Sequence, residues 1–293
     1  MKFAIYGQAY KAVTANIINR LLIEFRKIGA AVVFETNYYA LLLDNHIIED
    51  SFETFTDNTN LPDDVNFFIS IGGDGTMLRA ANFVKSKNIP IVGINAGRLG
   101  FLANIQQDAI EHLILKLINN DFEISKRTLL TLNNEHAAKQ FKINFALNEI
   151  TISRKNSTSM ISIKTYINDE FLATYWADGI IISTPTGSTG YSLSCGGPII
   201  TPNSSCLVIT PIAPHNLTTR PLIINDNSKI KMQIESREPE FLVSVDSETQ
   251  ALPNDTEINI CLASHTVNMV VFPGVTFLKT LRNKLLWGED VRN

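Results

Sequence analysis

Long apolar runs are missing from this chain of 293 residues, and with them any stretch of the length that a membrane span requires. Cysteine is scarce. Cys195, Cys206 and Cys261 are odd in number, far apart and without CxxC spacing, which argues against both a disulfide framework and a zinc site. Basic residues are in slight deficit, 25 Lys and Arg against 29 Asp and Glu for a net charge of −4, so no nucleic-acid partner is expected. The opening MKFAIYGQAY has too short an apolar run for a signal peptide and reads as a first strand. The expected location is the cytoplasm, with no membrane partner. Two phosphate-binding signatures are also absent. Without G-x-x-x-x-G-K-[ST] the chain is no P-loop NTPase. Without G-x-G-x-x-G after the first strand, it does not hold a dinucleotide as an ordinary dehydrogenase does.

What is present is a folded protein with ample core, 45% hydrophobic and 18% charged, long enough for one large domain or two ordinary ones. The stretch Val65 to Arg79, VNFFISIGGDGTMLR, organises the rest. Its apolar run reads as a strand buried on both faces, and Met77, Leu78, Ala81, Phe83 and Val84 then fall at helical spacing. Strand, glycine turn and helix form the arrangement in which backbone N–H groups meet phosphate oxygens, which makes Gly72, Gly73, Gly75 and Thr76 candidate phosphate ligands. Asp74 inside that turn would repel phosphate. It reads as a general base or as a carboxylate working through a metal ion, with a helix cap as the competing reading.

Around this stretch, strands at Phe3–Tyr6, Ala30–Phe34 and Pro90–Ile94 alternate with helical patterns at Val13–Ile28, Tyr38–Ile48 and Ile110–Leu117, and Glu49–Asp64 reads as a loop. The alternation predicts a doubly wound parallel sheet whose ligands lie beyond the carboxyl ends of the strands, where the turn Asn95–Phe101 also falls. After Asp121 period-two segments take over, as in Lys142–Leu147 and Ser162–Ile167. The expected division is an α/β domain over 1–121, an all-β domain over 122–261, and a tail over 262–293 that rejoins the first. Within the β half, Asn148-Glu149, Asp178-Gly179 and the hydroxyl- and glycine-rich run Ser183–Pro198 stand out. Hydroxyls and amide N–H groups suit ribose and phosphate, and Tyr191 offers a stacking face. Cys195 has no base placed to activate it, and His215 reads as a turn residue holding backbone groups.

These residues carry a resemblance. From about Ile69 to Leu222 the chain resembles the bacterial-type NAD kinases. The motifs are GGDGT at Gly72 to Thr76, NAGRLGFL at Asn95 to Leu102, Asn148-Glu149, Asp178-Gly179, TPTGSTGYSLSCGGP at Thr184 to Pro198 and APHNLTTRPL at Ala213 to Leu222. GGDGT is shared with lipid kinases and phosphofructokinases; the long hydroxyl-rich run is specific.

The resemblance implies a Rossmann-like N-terminal domain, a C-terminal β-sandwich, the site between them, and a homo-oligomer, tetramer or dimer. It implies magnesium-dependent transfer from ATP to the 2′-hydroxyl of the adenosine ribose of NAD. Asp74 would then be the base, with Gly75 beside it and Arg79 near phosphate. Asn148 and Glu149 would bind adenosine, and Asp178 the nicotinamide end. Thr186 and Thr189, Gly190, Tyr191, Ser192, Leu193 and Ser194 would line the dinucleotide pocket. Gly72, Gly73, Gly75 and Thr76 would face ATP phosphates, and no protein metal ligand is implied. A lipid or sugar kinase sharing GGDGT, or a dinucleotide sensor without catalysis, are the alternatives. Two departures are visible: Trp176-Ala177 stands where the family often has an arginine before the DG, and the polar motif near Asp246 is stretched to Asp246-Ser247-Glu248-Thr249-Gln250.

Overall fold

The computed structural model describes residues 1–8, 12–106, 109–156 and 159–288, and the chain divides into two units. Unit 1 is Met1–Lys126 with Val267–Asn293, and unit 2 is Arg127–Thr266.

Unit 1 is built in the order β1 (Lys2–Gly7), α1 (Ala12–Lys27), β2 (Ala31–Glu35), α2 (Thr36–Asp44), β3 (Glu53–Phe55), β4 (Phe67–Gly72), α3 (Asp74–Val84), β5 (Ile91–Asn95), α4 (Ile110–Ile118) and β6 (Glu123–Arg127). The sheet runs β3-β2-β1-β4-β5, then the strand Val267–Val271, then β6. The pairs among β1 to β5 are parallel, as is the pair of β5 with Val267–Val271. Ile5, Phe68, Ile69, Val92 and Ile94 are fully buried, as their continuous apolar runs require when helices cover both faces. The stripe Ile17, Ile18, Leu21, Leu22 and Phe25 turns α1 onto the sheet, where the Phe25 and Phe3 rings stack 4.2 Å apart. Gly29, at φ 62°, ends that helix in the left-handed conformation a side chain disfavours. Strand order reverses between β1 and β4, so the ligand crevice of such a sheet opens where Gly7-Gln8 and Gly72-Gly73 leave it.

Three features differ from the sequence reading. The expected loop Glu49–Asp64 contains β3, because Phe55 is fully buried there with its ring edge-on to Phe68 and Phe83. One buried aromatic in a polar stretch leaves no periodicity to read. Helix α2 begins at Thr36 rather than Tyr38, because the Glu35 carboxylate accepts the N–H groups of Asn37 and Tyr38 and caps it. The division between units falls at 126/127 and 266/267 because β6 and Val267–Val271 both belong to the first sheet.

Unit 2 is a sandwich of two six-stranded sheets, with antiparallel pairing at its strand contacts. One sheet runs from Glu170–Ala177 through Ile161–Ile167, Ile230–Glu235, Ile258–Leu262 and Leu130–Leu132 to Phe145–Ala146. The other runs from Leu222–Asn225 through Cys206–Ile212, Gly179–Ser183, Glu149–Arg154 and Glu240–Val245 to Glu248–Pro253. Ile150, Ile152, Ile180 and Ile182 from one meet Ile161, Ile163, Ile230 and Met232 from the other in a shared core.

Strand β4 positions the central turn, so weakening its packing should weaken the fold. Ile69→Ala removes a fully buried side chain and should lower stability by about 2–5 kcal/mol. The midpoint of chemical unfolding reads this directly, and an unshifted midpoint would show that β4 is not the packed centre of unit 1.

Candidate active site

In unit 1 the predicted residues gather at the carboxyl end of β4. Gly72 is required for contact: a Cβ there would lie 2.2 Å from Thr76 Oγ1, so the buried threonine packs on the bare backbone. Gly73 and Gly75 are different, since a Cβ at either would meet nothing within 4 Å. No internal packing demands them, and their absent side chains leave the start of α3 open to approach. The first N–H groups of a helix have no acceptor within it.

Asp74 is the first residue of α3 but does not cap it. Gly73 is the cap position, with no side-chain cap bond. The Asp74 carboxylate instead crosses to the turn after β5, where Oδ2 accepts the N–H of Phe101 at 2.9 Å and Oδ1 accepts those of Leu102 at 2.9 Å and Ala103 at 3.1 Å. Gly100 permits this approach, since a Cβ there would lie 2.0 Å from Asp74 Oδ1. Asn95 shapes the same turn, its amide donating to the carbonyls of Arg98 and Ala103 while its oxygen accepts the Gly97 N–H. Lys284, from the helix Phe277–Leu285, brings its ammonium 3.6 Å from Asp74 Oδ2 and lies over the Phe101 ring. The sequence reading missed this lysine; nothing in a tail helix announces which residue reaches back.

Arg79 lies on the exposed side of α3. With the Gln8 amide oxygen turned toward it, that oxygen accepts from Arg79 and from the Tyr6 hydroxyl. Tyr6, Gly7, Gln8, Glu35 and Arg79 help line a cavity of about 320 Å³ between the ends of β1 and β2 and the helices α2 and α3. A cavity of about 390 Å³ beside Leu113, Phe272 and Lys279 holds none of the predicted residues.

In unit 2 the predicted residues gather along two segments. Leu147–Glu149 is clamped on one side by Thr184, whose N–H donates to Asn148 O and whose hydroxyl donates to Leu147 O. On the other side stands Asp246, whose carboxylate accepts the N–H groups of Leu147, Asn148 and Glu149 at 2.8, 2.9 and 3.1 Å. Asp246 is thus the residue of the stretched motif whose side chain turns inward. Gly187 lies against the Asn148 carbonyl, where a Cβ would come within 2.1 Å, so the TPTG turn and the Asn148-Glu149 pair are one packed unit.

The hydroxyl-rich run is ordered, not a loose loop. Ser188 bonds to Pro185 O and takes the Ile200 N–H, and Thr186 is buried, accepting from Arg127 at 3.3 Å. Burial pushes the Arg127 guanidinium down to about 10. Ser192 departs from its expected place on the pocket wall: its hydroxyl is buried and shares a 2.8 Å bond with Thr210. Thr189, Gly190 and Leu193 are half-buried, Ser194 is exposed, and Tyr191 shows 46% of its surface. Asp178 Oδ2 accepts from Arg154 at 2.9 Å, so the cation missing before Asp178 comes from the neighbouring strand. At His215 it is the backbone that bonds, its N–H donating to Trp176 O.

A doubly wound unit with a glycine turn at its strand-order reversal, followed by a β-sandwich with an ordered hydroxyl-rich turn, is the build of a small-molecule kinase. The model of the ATP-NAD kinase N-terminal domain matches residues 16–122, and that of the ATP-NAD kinase C-terminal domain matches 147–272. The chain belongs to the NAD kinase family. It is 52% identical to the NAD kinase of Flavobacterium johnsoniae and 41% identical to that of Bacteroides fragilis, in each case over the whole of both chains. Among solved structures it resembles yeast NADH kinase complexed with NADH, with TM-score 0.84 and 23% identity over 99% of this chain and 89% of that one. It also resembles an NAD kinase from Archaeoglobus fulgidus in complex with ATP, with TM-score 0.76 and 24% identity over 98% and 99%. No helix among the described residues is long and apolar enough to cross a membrane.

Two carboxyl groups share the buried end of unit 2. Burial, with the Asp246 charge adding to it, pushes Glu149 up to about 8, and burial raises Asp246 to about 6 against the pull of its three N–H donors. The native state therefore holds more protons than the unfolded one, and its stability falls as pH rises through this range. Unfolding midpoints should decline from pH 5 to pH 8, and Glu149→Gln should flatten the part between about 6 and 8. A Glu149→Gln profile with the wild-type slope would mean that Glu149 does not carry the extra proton.

Proposed function

We propose that the protein transfers the γ-phosphate of ATP, brought with magnesium, to the 2′-hydroxyl of the adenosine ribose of NAD, giving NADP. The observation that carries this reading is the GGDG turn, a carboxylate beside two glycines with open faces, in a chain of the NAD kinase family. Phosphoryl transfer asks for positioning and charge stabilisation more than for covalent help. The N–H groups at the start of α3, from Gly73 to Gly75, are assigned to the ATP phosphates, with the Thr76 N–H already donating to Gly73 O, and Lys284 and Arg79 add positive charge. Magnesium commonly binds through substrate phosphates with few protein ligands, and among the described residues no three His, Cys, Asp or Glu side chains gather around a point. Magnesium would therefore arrive as part of the ATP substrate and would neutralise the phosphate oxygens there.

Asp74 acts on the acceptor. A carboxylate offers about four lone-pair sites. Oδ1 gives two to Leu102 and Ala103 and Oδ2 gives one to Phe101, while the Lys284 ammonium at 3.6 Å stands beyond hydrogen-bond reach, which leaves one site on Oδ2 for the substrate hydroxyl. The 2′-hydroxyl proton passes to Asp74 as its oxygen bonds to the γ-phosphorus. The bond from that phosphorus to the bridging oxygen breaks, ADP leaves, and Asp74 returns the proton to solvent.

For the dinucleotide, Asn148 and Glu149 bind the adenosine part, and Tyr191 offers its exposed ring as a stacking face. Asp178 binds the carboxamide through Oδ1, since Oδ2 is engaged by Arg154. Thr186, Thr189, Gly190, Leu193 and Ser194 line the pocket. Ser192 contributes by bracing the turn through Thr210.

Incubation of the purified chain with NAD, ATP and magnesium tests this reading. Phosphorus NMR should show a new phosphate monoester at the 2′ oxygen, and no NADP, or phosphate delivered to a lipid or sugar instead, would overturn it. Tyr191→Ala should raise KM for NAD and leave KM for ATP little changed, since one aromatic contact is worth about 0.5–1.5 kcal/mol beyond its area. Unchanged NAD affinity by calorimetry in a folded Tyr191→Ala protein would remove Tyr191 from the pocket.

A further inference from the structure

Asp246 sits in the turn between the strands Glu240–Val245 and Glu248–Pro253, at φ 49°, a left-handed conformation that aspartate tolerates better than most residues. That backbone aims its carboxylate inward. Three successive N–H groups, from Leu147, Asn148 and Glu149, converge on it, and its own N–H returns a 3.0 Å bond to Glu149 O. The same short segment carries the carbonyls that Thr184 takes on the opposite side. A run of N–H groups aimed at one point is a nest that favours negative charge there, and bonds to a charged acceptor are about twice as strong as neutral ones. Asp246 is thereby able to stay ionised although enclosed.

Glu149 stands next to this charge. Its Oε2 is buried with no hydrogen-bond partner among the described residues, and a Cβ at Gly190 would lie 2.9 Å from it. The titratable groups that face Glu149 are Asp246 and Cys195, and the Tyr191 N–H donates to its carboxyl group. No cation is among these neighbours. A buried carboxyl beside a fixed negative charge keeps its proton at neutral pH, and a protonated carboxyl is a hydrogen-bond donor.

We propose that Asp246 is a positioning residue for the dinucleotide, acting through the Leu147–Glu149 backbone that it holds and through the charge that it places beside the Glu149 carboxyl. Glu149 then meets its ligand as a donor, toward an acceptor atom such as a ribose oxygen or a ring nitrogen. This rests on the reading that Asn148 and Glu149 bind the adenosine part of NAD. Neutralising Asp246 has two effects. It removes one acceptor from the three N–H groups, and it lets Glu149 ionise at lower pH.

The experiment is NAD affinity by calorimetry across pH 6 to about 9 on the full chain, a window that brackets the Glu149 ionisation at about 8. Wild-type affinity should fall as pH rises through the ionisation of Glu149, at about 8. Asp246→Asn should bind about tenfold more weakly at neutral pH, with that alkaline break moved to lower pH. Glu149→Gln keeps a donor that does not titrate, so its break should vanish. Asp246→Asn with wild-type affinity, or with weaker binding and an unmoved break, would overturn the proposal, the second by making Asp246 a structural brace alone. A break that persists in Glu149→Gln overturns it as well, and this variant decides the matter if Asp246→Asn does not fold. Unaltered NAD affinity in Glu149→Ala would sink the underlying reading instead.

Discussion

One carboxylate with three N–H groups on it ties together the two turns at the carboxyl edge of the first sheet. Asp74 leaves the turn after β4 and accepts from Phe101, Leu102 and Ala103 in the turn after β5. The sequence around it is fitted to that contact. Gly100 must lack a side chain to let the carboxylate in, and Asn95 bonds the rest of the turn to itself. Without the parallel pairing of β4 and β5, which brings Gly72 beside Asn95, the two turns would not face each other.

Unit 2 solves its own problem in the same way. Asp246 takes the N–H groups of Leu147, Asn148 and Glu149 as Asp74 takes those of Phe101 to Ala103. In each case a loop that would otherwise present unpaired donors is fixed by a charge whose desolvation those donors offset. The difference lies in the neighbourhood. Asp74 has Lys284 at 3.6 Å, whereas Asp246 has a second carboxyl group, Glu149, beside it. In the first arrangement a cation stands in reach of the carboxylate; in the second, burial and the neighbouring carboxylate raise the Glu149 pKa to about 8.

Much of the fold was legible because it is written in periodicity. The doubly wound sheet followed from buried apolar runs at β1, β4 and β5 and from the stripe of α1. The sandwich followed from period-two alternation such as Ile161–Ile167. What stayed hidden were contacts made across the chain. Phe55 in β3 gives no pattern by itself, and β6 lies past the change in character at Asp121 although its hydrogen bonds belong to the first sheet. In the site, the glycine turns and the hydroxyl-rich run were visible as motifs. Arg154 beside Asp178, Lys284 beside Asp74 and the inward turn of Asp246 were not, because each partner lies 24 to 210 residues away and only tertiary structure joins them. Ser192 shows the converse, a residue in the right motif whose hydroxyl faces Thr210.

Asp74 holds the Phe101–Ala103 turn, and its proposed second duty is to take the acceptor's proton. Asp74→Asn separates them, since an amide oxygen still accepts from Leu102 and Ala103 but takes up no proton in the reaction. The measurement is turnover at saturating NAD, ATP and magnesium, with amide hydrogen exchange of Leu102 and Ala103 followed in the same preparation. The account predicts protected amides and a turnover lower by at least about a hundredfold. Protected amides with near wild-type turnover would contradict it, leaving Asp74 as a brace for the turn and nothing more.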